Sequence, residues 1–221
     1  MSRSWSPVVL LASPGHRVTR VIAVALALAL APLAAAAQTN ASGIAGPAIG
    51  YAAALLAHGD LLFVGRTAVV AGFPMPSAAP GAVYVYRRSG SEWVELAVLR
   101  AQEGTVGDGF GSAITYDGTL LAIGAPDDAK RKGAVYIFAR SGGTSWRQLV
   151  RLFVPDAAEG DRFGASVALQ GNTALFGAPG RESGKGAVWV ARSGTRGWAL
   201  AEMLAPADRD SAGAFGRAVV L

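Results

Sequence analysis

The chain has 221 residues and no cysteine, which excludes disulfide bonds, thiolate catalysis and thiolate zinc sites. Its formal net charge is +5, but residues 1–37 contain three arginines and no acidic residue, so the rest of the chain carries only +2. This small positive excess gives no support to a nucleic-acid partner or to binding at an anionic membrane surface.

Residues 1–37 have the three-part pattern of a secretory signal peptide. Three arginines precede an apolar run at residues 21–32, and the alanines at residues 35–37 supply the small side chains that signal peptidase requires. We predict cleavage after residue 37 and a secreted, periplasmic or cell-surface location. The alternative is a membrane anchor, but the apolar stretch is at the short end of a spanning length and contains Pro32. The cleaved chain is therefore not expected to span a membrane.

After residue 57 the sequence repeats with a period of 52 or 53 residues. Phe110 and Phe163 each begin a copy that runs from Phe-Gly through Gly-Ala-Pro to a Gly-Ala-Val strand and a tryptophan. His58-Gly59 and Gly72-Phe73-Pro74 align as a degenerate first copy. A fixed period of this size is typical of stacked or radial repeats. The predicted organisation is a signal peptide at 1–37, a leader at 38–57, repeats at 58–109, 110–162 and 163–214, and a truncated fourth repeat at 215–221.

Each period is predicted to contain four short β-strands joined by tight turns. In the second copy the strands are predicted over residues 110–116, 119–123, 134–140 and 146–153. Asp117-Gly118 is a hairpin signal, and Gly65-Arg66 and Gly171-Asn172 are predicted as the corresponding turns. Four such antiparallel strands form one propeller blade, whose faces must pack on neighbouring blades. The predicted fold class is all-β: a β-propeller of four-stranded blades, with about three blades plus the start of a fourth.

The second and third copies resemble the FG-GAP repeat. The resemblance is carried by Phe110-Gly111 with Gly124-Ala125-Pro126, and by Phe163-Gly164 with Gly177-Ala178-Pro179. It implies the β-propeller of integrin α-subunit heads, in the form found in exported bacterial proteins. Phe215-Gly216 starts a further copy, so we expect a fragment of a longer propeller with an incomplete ring. If the chain is complete, self-association into a closed ring is the alternative.

The calcium loop of integrin-like copies is missing between the two halves of the motif. Asp117-Gly118 and Gly171-Asn172 stand in its place as two-residue turns, and calcium requires six to eight oxygen ligands. Asp127 with Asp128, or Asp156 with Glu159 and Asp161, could be proposed as ligands, but we interpret them as solvated turn-forming residues. No metal site and no cofactor are predicted.

No catalytic constellation is present in the sequence. His58 is the one histidine after the signal peptide, and its place at the start of a repeat frame predicts a packing residue. No Gly-x-Ser-x-Gly elbow occurs. Residues 107–111 are glycine-rich, but they lack the lysine of a phosphate-binding loop and precede a strand. The chain is therefore predicted not to be an enzyme, and no catalytic or cofactor-binding residue is assigned.

The sequence favours a non-catalytic recognition or adhesion module. Its ligand, a protein or a glycan, would bind the equivalent inter-strand loops at residues 74–80, 127–132 and 180–185, which differ in charge from copy to copy. One alternative is a propeller that accompanies a secreted hydrolase whose catalytic part lies outside this chain. Another is a structural protein of the cell envelope.

Overall fold

The computed structural model describes residues 51–67, 80–207 and 213–221, and in these ranges the regular structure is almost entirely β. Twelve strands form three antiparallel sheets of four strands, each in sequence order. The first sheet contains β1 (Tyr51–His58), β2 (Leu61–Arg66), β3 (Ala82–Ser89) and β4 (Glu92–Leu99). The second contains β5 (Ala113–Tyr116), β6 (Leu120–Ala125), β7 (Ala134–Arg140) and β8 (Trp146–Leu152). The third contains β9 (Ser166–Gln170), β10 (Thr173–Ala178), β11 (Ala187–Gly194) and β12 (Gly197–Leu204).

The three sheets are arranged as consecutive blades. Strand β1 contacts β5, and β5 contacts β9, so the first strands of the sheets line one side of the array. Sheet order within each unit then places β4, β8 and β12 at the far edge. This all-β arrangement is an incomplete β-propeller, and the predicted fold class is confirmed.

The second sheet is buried on both faces, which explains the nearly continuous apolar sequence of β7. Tyr136 and Phe138 pack into a core shared with the first sheet, whereas Val135 and Ile137 pack into a core shared with the third. All four side chains are buried because alternate residues of a strand point to opposite faces. Burial of apolar surface between sheets therefore supplies most of the stabilisation, at roughly 25 cal/mol per Å².

A column of glycines runs through the sheets near their first strands. Within a sheet, the Gly111 N–H donates to the Gly124 carbonyl at 3.0 Å, and the Gly164 N–H donates to the Gly177 carbonyl at 2.9 Å. Between sheets, a Cβ on Gly124 would overlap with the Gly164 carbonyl oxygen. Gly65 has the same relation to Gly111. Both glycines of the Phe-Gly…Gly-Ala-Pro motif are thus required by close approach of main chains.

The structure corrects the alignment of the first copy. Gly65 occupies the place of Gly124 and lies inside β2, so the predicted turn at Gly65-Arg66 is wrong. The hairpin turn is at Gly59-Asp60, and His58 ends β1 instead of starting the motif. The misalignment has a physical cause: 15 residues connect β2 to β3, whereas eight connect β6 to β7. Gly72-Phe73-Pro74 belongs to this longer connection, and residues 68–79 lie outside the described residues.

The structure describes only part of the N-terminal region for which the sequence makes predictions. Strand β1 begins at Tyr51, so the segment assigned to a leader includes seven residues of the first sheet. The predicted signal peptide at residues 1–37 lies outside the described residues. Within the described ranges, no helix is long and apolar enough to cross a membrane.

Candidate functional site: the loop face

The longer connections of the second and third sheets meet at one end of the array. Residues 126–133 and 179–186 join the second and third strands of their sheets, and residues 100–112 and 153–165 connect one sheet to the next. We call these four segments the loop face. The opposite end of the array, which we call the turn end, has tight turns such as Gly171-Asn172. The predicted loop at residues 74–80 lies, except for Pro80, outside the described residues.

Two left-handed turns build the loop face. Residues 129, 130 and 131 have φ values of 50°, 62° and 65°, and residues 182 and 183 of the third sheet have 50° and 60°. The turns direct main-chain carbonyls at the next sheet: the Arg131 carbonyl accepts from the Arg162 N–H at 2.9 Å, and the Lys132 carbonyl from the Phe163 N–H at 3.0 Å. Side chains in this conformation cost about 1 kcal/mol each. The strain is thus offset by main-chain bonds between sheets.

The strain predicts that Ala129→Gly stabilises the protein. Ala129 is exposed and its φ is 50°, a conformation that glycine adopts without steric cost, so we expect a gain of about 0.5–1 kcal/mol in the free energy of unfolding. Chemical denaturation followed by circular dichroism measures this change in the free energy of unfolding. Ala199→Gly, at an exposed position in the extended strand β12, is the matched control and should lose stability. A loss of stability in both variants would contradict the assignment of strain.

A buried charge network supports the first of these turns. The Asp128 carboxylate is 5% exposed and accepts hydrogen bonds from the Tyr136 hydroxyl at 2.8 Å and from Arg151 Nη2 at 2.6 Å. Arg151 Nε also donates to the Tyr136 hydroxyl at 3.2 Å. Asp128 begins the left-handed turn and Arg151 lies on the outer strand β8. The network therefore ties the turn to the edge of its own sheet.

Alkaline pH should weaken this network. Burial of Tyr136, followed by its hydrogen bond to Asp128, raises the pKa of Tyr136 well above its ordinary value. The folded state then favours the neutral phenol. The stabilisation of the folded state by the neutral phenol is fully present below about pH 10, the pKa of tyrosine in the unfolded chain. It is lost as the pH rises towards the pKa of Tyr136 in the folded state.

Between pH 8 and pH 11 we therefore expect Tyr136 to contribute a loss of about 1 kcal/mol in unfolding free energy. Tyr136→Phe should show a smaller loss over the same interval, because it has no proton to release. Urea titrations of both proteins at the two pH values measure the difference. Equal losses would show that Tyr136 titrates alike in the folded and unfolded chains.

A second network forms around the equivalent turn of the third sheet, with an arginine in the place of the aspartate and with both carboxylates on the connection from the second sheet. Arg181 begins the turn where the second sheet has Asp128. Its Nη1 donates to Asp161, 3% exposed, at 2.8 Å, and its Nη2 donates to the exposed Asp156 at 2.7 Å. The hydrogen bond and charge of Arg181 lower the pKa of the Asp156 carboxyl. Asp161 also accepts from the Ala158 N–H at 3.0 Å, so it organises the connection before the third sheet.

These contacts correct the interpretation of Asp128 and Asp161 as solvated, whereas Asp156 is exposed as expected. Asp128 and Asp161 are buried and paired with arginines, and Asp127 forms an ion pair with Arg162 at 3.3 Å. Their charges are compensated within the fold. Glu159 is exposed on the same connection. In the part of the chain that the structure describes, no group of three or more histidine, aspartate or glutamate residues could hold a metal ion.

The turn end is also well defined. One oxygen of Asp117 accepts from the N–H groups of Thr119 and Leu120, both at 2.8 Å. Its other oxygen accepts from the Gly171 N–H of the next sheet at 3.0 Å. His58 is exposed, and its ring packs edge-on against Tyr116 with centroids 5.1 Å apart. His58 is thus a packing residue, but at a sheet-to-sheet contact at the turn end rather than at the start of a motif.

Sequence reasoning missed the two arginines that organise the loop face. Arg151 and Arg181 lie 23 and 20 residues from the aspartates that they bind, so no short motif joins them. The one signal in the sequence is the place of Arg151 between the apolar residues Val150 and Leu152. A charged residue in such a place requires a partner.

Three four-stranded antiparallel sheets, each docked on the next through paired glycines, define a protein of the β-propeller class. The sequence model described as the FG-GAP repeat matches residues 93–138 and 146–191. The chain therefore contains FG-GAP repeats over these residues. Each matched unit begins on the outer strand of one sheet and ends on the third strand of the next. No curated protein matches the chain significantly.

Proposed function

We propose that this chain is a non-catalytic recognition module that binds a protein or glycan ligand through the loop face. The observation that carries the proposal is that the main chain of the turn is fixed by the next sheet while its side chains remain exposed. The carbonyls of Arg131 and Lys132 are fixed by hydrogen bonds to the next sheet, whereas the side chains of Lys130, Arg131 and Lys132 are exposed. A rigid main chain that presents exposed side chains loses little entropy on binding.

The equivalent turn of the third sheet supports this view. There the exposed tip residues are Glu182 and Ser183, so the same main-chain frame carries a different charge. A regular scaffold with variable side chains at one end is how many folds build binding sites. We place this function outside the cytoplasm, at a cell surface, in a periplasm or in the medium, with adhesion as its biological setting.

Charge reversal at the loop face tests the proposal. The full chain is screened on a glycan array and on an array of peptides, and the strongest ligand is then titrated against Lys130→Glu/Lys132→Glu. We expect at least a tenfold loss of affinity. The matched control, Arg147→Glu/Arg196→Glu, removes two exposed basic residues near the turn end and should bind normally. Equal losses in both variants would show that net charge governs binding, and unchanged binding in both would place the ligand elsewhere.

A further inference from the structure

The second sheet presents an exposed aromatic ring on the loop face. Phe153 is the first residue after β8 and is 51% exposed. The guanidinium of Arg151 lies over the Phe153 ring, 5.2 Å from its centroid, and Arg151 also donates to the buried Asp128 at 2.6 Å. A cation that is itself fixed therefore holds the phenyl ring in place, while much of the ring surface remains open to solvent.

The repeat does not require an aromatic residue at this position. The fourth strands of the three sheets end at equivalent leucines, each opposite a valine of the third strand. The residue that follows is Arg100 in the first sheet, Phe153 in the second and Ala205 in the third. Apolar residues replace Arg151 at its equivalent positions in the other two sheets. Among the three sheets that the structure describes, the ring and its arginine are thus particular to the second.

The basic turn belongs to the same sheet. Lys130 and Lys132 are exposed, and they form no ion pair within residues 51–67, 80–207 and 213–221. Their turn begins at Asp128, the residue that Arg151 binds, so one charge network joins the turn to the phenyl ring. In the third sheet Ser183 takes the place of Lys130. An aromatic ring, an arginine and a basic turn therefore depart from the repeat together, which points to a ligand rather than to a need of the fold.

This combination suits the chemistry of an acidic sugar chain. A pyranose ring presents mainly C–H groups on one face, and these pack against the open face of an aromatic side chain. A uronate carboxylate accepts charge-assisted hydrogen bonds from lysine ammonium groups. A protein partner of ordinary size would bury a larger apolar patch than a single phenylalanine. The observations therefore favour a polysaccharide over a protein.

We propose that Phe153 is a stacking subsite for an acidic polysaccharide, whose pyranose ring packs on the phenyl ring while its carboxylates bind Lys130 and Lys132. Arg151 is a positioning residue: it holds the phenyl ring, and Asp128 compensates its charge. The inference rests on the proposed function, because it names the ligand class and one subsite of the loop face.

Calorimetric titration of the full chain with oligomers of galacturonate, glucuronate and mannuronate tests the subsite. For the strongest of these ligands, Phe153→Ala should lower the affinity about tenfold, whereas Phe153→Tyr keeps a ring and should bind normally. The loss in Phe153→Ala should be alike at low and high salt, because stacking is not screened. The loss in Lys130→Glu/Lys132→Glu should shrink at high salt.

Two controls separate this subsite from general effects. Val94→Ala truncates an exposed apolar residue on β4 of the first sheet and should bind normally. A neutral cello-oligosaccharide of the same length has pyranose rings but no carboxylate, and it should bind about tenfold more weakly than the uronate ligand. Equal affinities for the two sugars would overturn the role assigned to the carboxylates.

The outcomes distinguish this inference from the proposed function. If Phe153→Ala binds the uronate ligand as tightly as the natural chain, the stacking subsite is overturned, while the loop face stands on the loss in the lysine variant. If no sugar binds but a peptide ligand depends on Lys130 and Lys132, the polysaccharide is overturned in favour of a protein ligand. If neither kind of ligand depends on these lysines, both proposals fail.

Discussion

Gly124→Ala should lower the free energy of unfolding by about 3 kcal/mol or more. Gly124 lies on β6 in the glycine column, and a Cβ at this position would overlap with the carbonyl oxygen of Gly164 in the third sheet. Because the overlapping atom belongs to the main chain, no side-chain rotation can remove the clash, and the third sheet must move away from the second to accommodate the new Cβ. Denaturant titration followed by circular dichroism measures the shift of the midpoint.

The third sheet should be affected more than the first, because it lies on the far side of the altered contact. We therefore expect its unfolding to separate from that of the first sheet, as in repeat proteins whose nearest-neighbour interfaces are weakened. Gly194→Ala is the matched control: the residue is exposed, its φ is not positive, and a Cβ there meets no atom within 4 Å. It should change stability by less than about 0.5 kcal/mol. If both variants behaved alike, close approach would not be the reason for glycine at position 124.

Asp128→Asn should cost about 2–3 kcal/mol of unfolding free energy. The substitution removes the negative charge between Arg151 and Tyr136 and leaves a buried network with an uncompensated guanidinium. The Arg151 side chain is 26% exposed and regains some water contact, so the expected loss is below that of a fully buried pair. Thermal and denaturant unfolding of the two proteins at pH 7 measures it.

The chain itself provides a control and a rescue. Asp156→Asn removes an ion pair whose carboxylate is 70% exposed, and it should change stability little. Arg151 pairs with Tyr136 across the ladder, and Met203 pairs with Trp189 at the same place in the third sheet. The double variant Asp128→Asn/Arg151→Met copies this apolar solution and should regain part of the lost stability. A double variant less stable than Asp128→Asn would show that the arginine contributes through packing rather than through its charge.

The repeat period made the fold predictable, because a four-stranded unit that cannot bury both faces alone must be stacked. The first copy was misaligned because Gly72-Phe73-Pro74 resembles the motif more closely than the true equivalent does. A fixed separation would have found it: Gly124 lies 14 positions after Phe110, Gly177 lies 14 positions after Phe163, and the same step leads from Tyr51 to Gly65. Local resemblance was a weaker guide than the spacing imposed by two paired strands.

The loop face was predictable in position but not in chemistry. The tight turns and breaker residues located the connections, since proline after β6 and β10 ends each ladder. The burial of Asp128 and Asp161 was not predictable, because it depends on arginines that distant strands bring to them. The left-handed conformation of residues 129–131 was equally hidden, since alanine, lysine and arginine give no signal for positive φ.

The glycine column has a consequence for how the repeat can diversify. Because main-chain atoms are in direct contact there, the separation of neighbouring sheets near their first strands is independent of side-chain volume. Equivalent positions on the second strands of the three sheets can then hold Phe63, Ala122 and Leu175, which differ greatly in size. Further from the column, Tyr136 of the second sheet and Trp189 of the third occupy equivalent positions and also differ in size. The glycines keep neighbouring sheets at a constant distance near their first strands. Substitutions in the outer part of one blade can therefore accumulate without changing how the next blade packs against it.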